Sequence, residues 1–182
     1  MDKVIYLEDK YFDKNVITNE RHTVRVIIEN HDHLFGYLKI NGEDIFGYRN
    51  HLESAGGGIE KGESHIDAIH REVMEELGCT CEVCAYLGQI VHDFNILSRR
   101  TYANYYYVKV IDSNLDTHLT KMEETLFNGV IWMNIEKIKE ILQEDTSNVG
   151  KLVHERELLA ITLFEDYLKK QEGEKDEQSC RI

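Results

Sequence analysis

Residues 57 to 79 read Gly57-Gly58-Ile59-Glu60-Lys61-Gly62-Glu63-Ser64-His65-Ile66-Asp67-Ala68-Ile69-His70-Arg71-Glu72-Val73-Met74-Glu75-Glu76-Leu77-Gly78-Cys79. The glycines at 56, 57, 58 and 62 make a loop that bends sharply and lets a ligand approach the backbone. Ser64 stands where a helix N-cap belongs, and Gly78 where a helix ends. Between them Ile66, Ile69, Val73 and Leu77 recur at spacings of three and four, which predicts a helix with one apolar stripe. Glu72, Glu75 and Glu76 stand at i, i+3 and i+4, so the helix brings their carboxylates towards each other.

Two unit charges ~4 Å apart repel by about 4 kcal/mol at an effective dielectric of ~20. A divalent cation removes that penalty, and hard oxygen donors suit magnesium, manganese or calcium rather than zinc. On their own, three glutamates also fit a solvated acidic helix face. The full spacing is more specific. It runs G-x5-E-x7-R-E-U-x-E-E-x-G-U, with U a bulky apolar residue, at Gly57, Glu63, Arg71, Glu72, Val73, Glu75, Glu76, Gly78 and Cys79. A chance match is on the order of one in a million. This stretch resembles the signature of the Nudix hydrolases at every fixed position, and only Cys79 is unusual in its slot.

That resemblance implies an α/β fold, an α/β/α sandwich around a mixed sheet. It also implies hydrolysis of a nucleoside diphosphate linked to another moiety, by water attack on phosphorus. By motif position Glu72, Glu75 and Glu76 would bind Mg2+ or Mn2+, with the carbonyl of Gly56 as a further ligand. Gly57, Glu63, Arg71 and Gly78 would support the site, Arg71 by pairing with Glu63. The base that activates water is implied to be a signature glutamate, Glu72 or Glu75, or a carboxylate of a later loop, Glu123 or Glu124. Substrate contacts fall outside the motif: Arg49, Arg99 and Arg100 are candidates for phosphate, and Tyr105 or Tyr107 for stacking on a base, unless the tyrosines are simple packing. The lead-in Glu53-Ser54-Ala55-Gly56-Gly57 departs from the Phe-Pro-Gly-Gly of many relatives. A Nudix-like module that senses a nucleotide without turning it over is the alternative, but such modules usually lose signature carboxylates and all stand here.

The remaining chain sets the frame. Its 182 residues, 42% hydrophobic, suit one domain over residues 1–170, followed by a charged tail, 171–182, expected to be disordered. A net charge of −13 argues against a general nucleic-acid or anionic-membrane surface. No apolar run of signal or membrane-span length is visible, so the expectation is a cytoplasmic monomer or homodimer acting on a small nucleotide. Cys79, Cys81 and Cys84 read as reduced thiols on a strand or, failing that, part of a zinc site. There is no proline.

Strands are expected over residues 23–29, 34–40, 43–49, 80–92 with a bulge at Gly88, 101–110 and 130–133. Asn41-Gly42 reads as a hairpin turn. Residues 93–100 and 112–125 read as loops. Residues 30–33, with His31 and His33 flanking Asp32, fit a turn or a metal pair. Asn134 caps a helix to about 142, and 151–170 is a last amphipathic helix. Residues 1–20 fit a short strand or an arm on a partner subunit.

Overall fold

The computed structural model describes residues 3–44, 47–113, 115–119 and 121–179, the side chains of 121–123 and 175–179 excepted. In chain order the elements are β1 (Val4–Leu7), β2 (Asn19–Glu29), β3 (Phe35–Asp44), β4 (Gly47–Glu53), α1 (His65–Leu77), β5 (Thr80–Phe94), a 3-10 turn (Asn95–Leu97), β6 (Arg99–Asp112), α2 (Lys121–Leu126), β7 (Phe127–Met133), α3 (Ile135–Leu142) and α4 (Asn148–Ser179). The strands form one mixed sheet in the order β1-β5-β6-β2-β3-β4, with β7 also on β3. β2 and β6 run parallel at its centre, and β5 returns antiparallel on β6.

Period-2 alternation divides the core in two. Val24, Val26 and Ile28 of β2 face α1, meeting Ile69, Val73 and Leu77. Ile27 of β2, with Tyr105 and Tyr107 of β6, faces α3 and α4, meeting Ile138, Leu152, Ile161 and Phe164. The α/β/α sandwich around a mixed sheet is therefore present.

Several expectations shift. Asn41 and Gly42 lie inside β3, paired with Asn50 and Arg49, and the hairpin closes with Asp44 on Gly47. Its connecting residues, 45 and 46, lie outside the described residues. The alternation of Leu38 and Ile40 into the α1-side core extends β3 past the Asn-Gly signal. The loop expected at 93–100 shrinks to the 3-10 turn, so Arg99 and Arg100 open a strand. The loop at 112–125 contains α2. The last helix runs from Asn148 through Ser179, starting before and ending after the expected 151–170. The Gly88 bulge is present, with a register shift between Tyr86 and Gly88. Val4–Leu7 form a strand, β1, parallel to β5.

Residues 30–33 form a turn closed by Asn30 Oδ1, which accepts from the amides of Asp32 and Leu34 at 3.0 and 2.9 Å. His33 turns to Glu29. Cys79 and Cys81 are buried and Cys84 exposed, all as free thiols, while Cys180 lies outside the described residues.

Where β3 leaves β2, the glycine loop replaces it. The Val26 amide donates to the Ala55 carbonyl, that of Val24 to Gly57, and that of Ile59 to His22. Gly56 has φ 135°, and an added Cβ would lie 2.2 Å from the Val24 carbonyl oxygen, so only glycine fits. This pairing holds the loop against the Arg71, Glu72 and Glu76 side chains of α1.

Candidate active site

α1 starts and stops by local chemistry. Ser64 in extended backbone accepts from the Asp67 amide, and Gly78 in left-handed backbone donates to the Met74 carbonyl. A Cβ on Gly78 would lie 2.3 Å from the Leu115 carbonyl oxygen, so the glycine also admits the following chain.

Arg71 ties the loop to this helix. Its Nε and Nη2 donate to the two Glu63 oxygens at 2.8 and 2.9 Å, and Nη2 also reaches the Gly58 carbonyl at 3.0 Å. The arginine holds the Glu63 carboxyl at about 2, below the usual carboxylate range. The Arg71–Glu63 pair thus spans from the loop to the helix.

The three glutamates do not close on a single point. Glu72 and Glu76, one turn apart, are both 7% exposed and line a cavity of about 420 Å³. Glu75 lies towards the Arg71 side, and Arg71 Nη1 reaches Glu72 Oε1 at 2.7 Å and Glu75 Oε2 at 3.3 Å. Among the described residues no cluster of three His, Cys, Asp or Glu is arranged to hold a metal ion.

The donors nevertheless fit a hard divalent ion. Burial pushes Glu76 up to about 8, and its Oε2 accepts from the Gly56 amide at 2.8 Å. Burial also raises Glu72, against the pull of Arg71. Two desolvated carboxylates on one cavity wall form a site that favours a compensating cation. Gly57 makes room for the Glu72 carboxylate: a Cβ there would lie 2.2 Å from Glu72 Oε1.

The opposite wall is basic. Arg21, Arg25, Arg49, Arg99 and Arg156 line the same cavity. Glu53 bridges two of them, with Arg25 Nη2 at 2.7 Å and Arg156 Nη2 at 2.9 Å from its Oε1. Burial opposes the Glu53 charge, but Arg25, His51 and Arg156 hold its carboxyl well below the usual range. Arg156 also reaches Glu157 Oε1 at 2.6 Å, which Tyr105 Oη joins at 3.1 Å. Arg49 faces the cavity paired with Asp44 at 2.7 Å.

Of the other sequence candidates, Arg99 lines the cavity and Arg100 does not; it pairs with Asp93 at 2.7 Å. Adjacent strand residues point to opposite faces, so one position decides between them. Tyr105 and Tyr107 are core residues rather than stacking platforms. Tyr105 is fully buried, and Tyr107 donates to Glu29 while its ring packs 4.9 Å from that of Phe164. Glu124 is exposed on α2, whose end, with Leu126 and the following Phe127, borders the cavity. The Glu123 side chain lies outside the described residues. Sequence reasoning missed Arg21, Arg25, Glu53, His92 and Arg156. The period-2 alternation of Arg21, Thr23 and Arg25 against Val24 and Val26 was the one available signal.

The NUDIX domain family model matches residues 20–154, and the chain belongs to that family. It is a Nudix-type hydrolase, of the class that acts on diphosphate bonds. Among solved structures it resembles a NUDIX hydrolase from Nitrosomonas europaea, at 21% identity and TM-score 0.62, over 83% of this chain and 90% of the other. A MutT protein from Methanosarcina mazei Go1 shares 21% identity at TM-score 0.53, over 80% and 94%. A UDP-X diphosphatase shares 18% identity at TM-score 0.55, over 81% of this chain and 64% of that one. At these identities the likeness is one of fold. No curated protein matches the chain. No helix among the described residues is long and apolar enough to cross a membrane.

Proposed function

We propose that this protein is a magnesium- or manganese-dependent pyrophosphohydrolase that cleaves a nucleoside diphosphate linked to another moiety, a small nucleotide substrate. The observation that carries the reading is one cavity with desolvated Glu72 and Glu76 on one wall and arginines on the other. Carboxylates alone would repel a diphosphate, and arginines alone would bind it without activating water.

Glu72, Glu75, Glu76 and the Gly56 carbonyl would hold the ion. When bound, the ion supplies charge neutralisation on the diphosphate and a more acidic water. The chain's own residues do the remainder. Arg71 and Glu63 hold the glycine loop against α1, which keeps Gly57 beside Glu72. Arg25 and Arg156, held by Glu53, present fixed donors to phosphate oxygens. A carboxylate takes the proton of the attacking water, either a signature glutamate or one from α2. Intact signature carboxylates favour turnover over a purely sensing role.

The test is a panel of nucleoside diphosphate derivatives with magnesium or manganese, read by release of monophosphate. The expected result is metal-dependent release from at least one member. Binding without release from any member would move the protein to the sensing class.

A further inference from the structure

Five side chains that line the same cavity, Arg21, Thr23, His92, Arg99 and Thr101, are given no individual task in the scheme above. The β2–β6 register sets Arg21 opposite Thr101, and the β5–β6 register sets Thr101 opposite His92. The three stand in one row across adjacent strands, about 4.8 Å apart. Thr23 lies two residues along β2 from Arg21, and Arg99 two residues along β6 from Thr101, so both share that face.

This row carries unspent hydrogen-bonding capacity. Thr23 is 3% exposed, Thr101 5% and His92 2%. Both threonine hydroxyls, both His92 ring nitrogens and Arg99 Nε are buried with no partner among the described residues. Buried polar groups in folded proteins are nearly always partnered, so a cluster of exceptions lining one cavity marks a ligand position. The charges are unmatched as well. Arg21 and Arg99 form no ion pair among the described residues, whereas Arg25, Arg49 and Arg156 each hold a carboxylate. The Arg99 guanidinium carbon rests 5.9 Å from the Phe94 ring centre, which keeps it over the cavity. Burial and neighbouring arginines hold His92 neutral, so the ring keeps one donor and one acceptor.

Resting on the diphosphate-hydrolase reading, we propose that Arg21, Thr23, His92, Arg99 and Thr101 form a subsite for a phosphorylated sugar or polyol, the moiety carried beyond the scissile diphosphate. Two unpaired guanidinium groups suit a phosphate monoester, and neutral donors and acceptors between them suit hydroxyls. The space is consistent, since about 420 Å³ falls in the range of small-molecule sites.

The test is calorimetric titration of the full chain with ribose 5-phosphate, ribose and inorganic phosphate, with magnesium and again in chelator. Wild type should bind ribose 5-phosphate at least tenfold more tightly than either fragment, and the preference should survive chelation. Arg99→Met should weaken ribose 5-phosphate at least tenfold, Arg99→Lys less, and Arg100→Met not at all. Equal affinity for ribose 5-phosphate and inorganic phosphate, loss of binding in chelator, no binding, or an unchanged Arg99→Met would each overturn the subsite. The wild-type comparison needs no variant, so a folding defect cannot leave the question open. Hydrolysis of the nucleotide panel is scored separately. Ribose 5-phosphate binding without hydrolysis sinks only the hydrolase reading, and hydrolysis without ligand preference sinks only the subsite.

Discussion

At the residue scale, Glu72 has the strongest claim. Its carboxylate lies where a Gly57 Cβ would otherwise sit, it is nearly buried, and Arg71 holds one oxygen. A group that acts through a bound ion on water and phosphate contributes mainly in the transition state. Glu72→Gln should therefore lower kcat by more than tenfold, over ~1.4 kcal/mol of barrier, with a smaller change in nucleotide affinity. Steady-state kinetics beside a nucleotide titration checks this, and a kcat above a tenth of wild type would contradict it. Glu124→Gln and Glu123→Gln separate the two sources of a base. If one of them alone drops the rate by about 10²-fold with metal affinity intact, the base comes from α2. If neither does, it belongs to α1.

At the element scale, α4 is fastened to the sheet by buried charge. Arg156 stands between Glu53 of β4 and its own neighbour Glu157, which is fully buried. Burial works against the Arg156 charge, but Tyr105, Glu157 and Glu53 outweigh it and hold the guanidinium ionised. Arg156→Met would leave buried Glu157 without its cation and Glu53 with Arg25 alone, at a cost of about 3–5 kcal/mol. Denaturant unfolding should show this as a lower midpoint, and an unchanged midpoint would mean that Arg25 alone neutralises Glu53.

The same helix carries a pH-dependent contact. His154 Nε2 accepts from the Leu52 amide at 3.2 Å, which requires the neutral ring. Burial and His51 lower it to about 4, from an unfolded value near 6.5. Between these values the unfolded chain binds more protons. The His154 contribution is thus complete above about pH 6.5 and is lost as pH falls towards 4. Melting temperature should fall across that window, and less steeply in His154→Gln, whose amide oxygen can still accept from Leu52. Parallel slopes for the two proteins would remove His154 as the cause.

At the scale of the whole molecule, α1 and the sheet hold Glu72 and Glu76 together in the folded state at a desolvation cost. An ion that binds only the folded state adds about 2.7 kcal/mol at a hundredfold excess over its Kd. For a domain of this size that corresponds to a rise in Tm of about 5–11 °C with magnesium or manganese. The triple glutamine variant at 72, 75 and 76 should show none, and a wild type that does not shift would argue against the site. How much of this could be read from the chain follows from the range of each interaction. The Ser64 cap, the Ile69-Val73-Leu77 stripe, the Gly78 stop and the Glu63–Arg71 pair all lie within 23 residues, where helical period and turn chemistry act locally. The reach of β3 past Asn41-Gly42 was not legible, because pairing with β4 and burial of Ile40 outweighed the turn preference. Nor was the basic wall. Arg21, His92, Arg99 and Arg156 come from three strands and the last helix, and nothing along the chain relates them before the parallel pairing of β2 and β6 sets them around one cavity. The sequence puts Arg99 and Arg100 together in an expected loop, and only their place in β6 separates them, one lining the cavity and the other not. That depends on where the glycine loop and α4 close over the sheet, and long-range burial alone decides it.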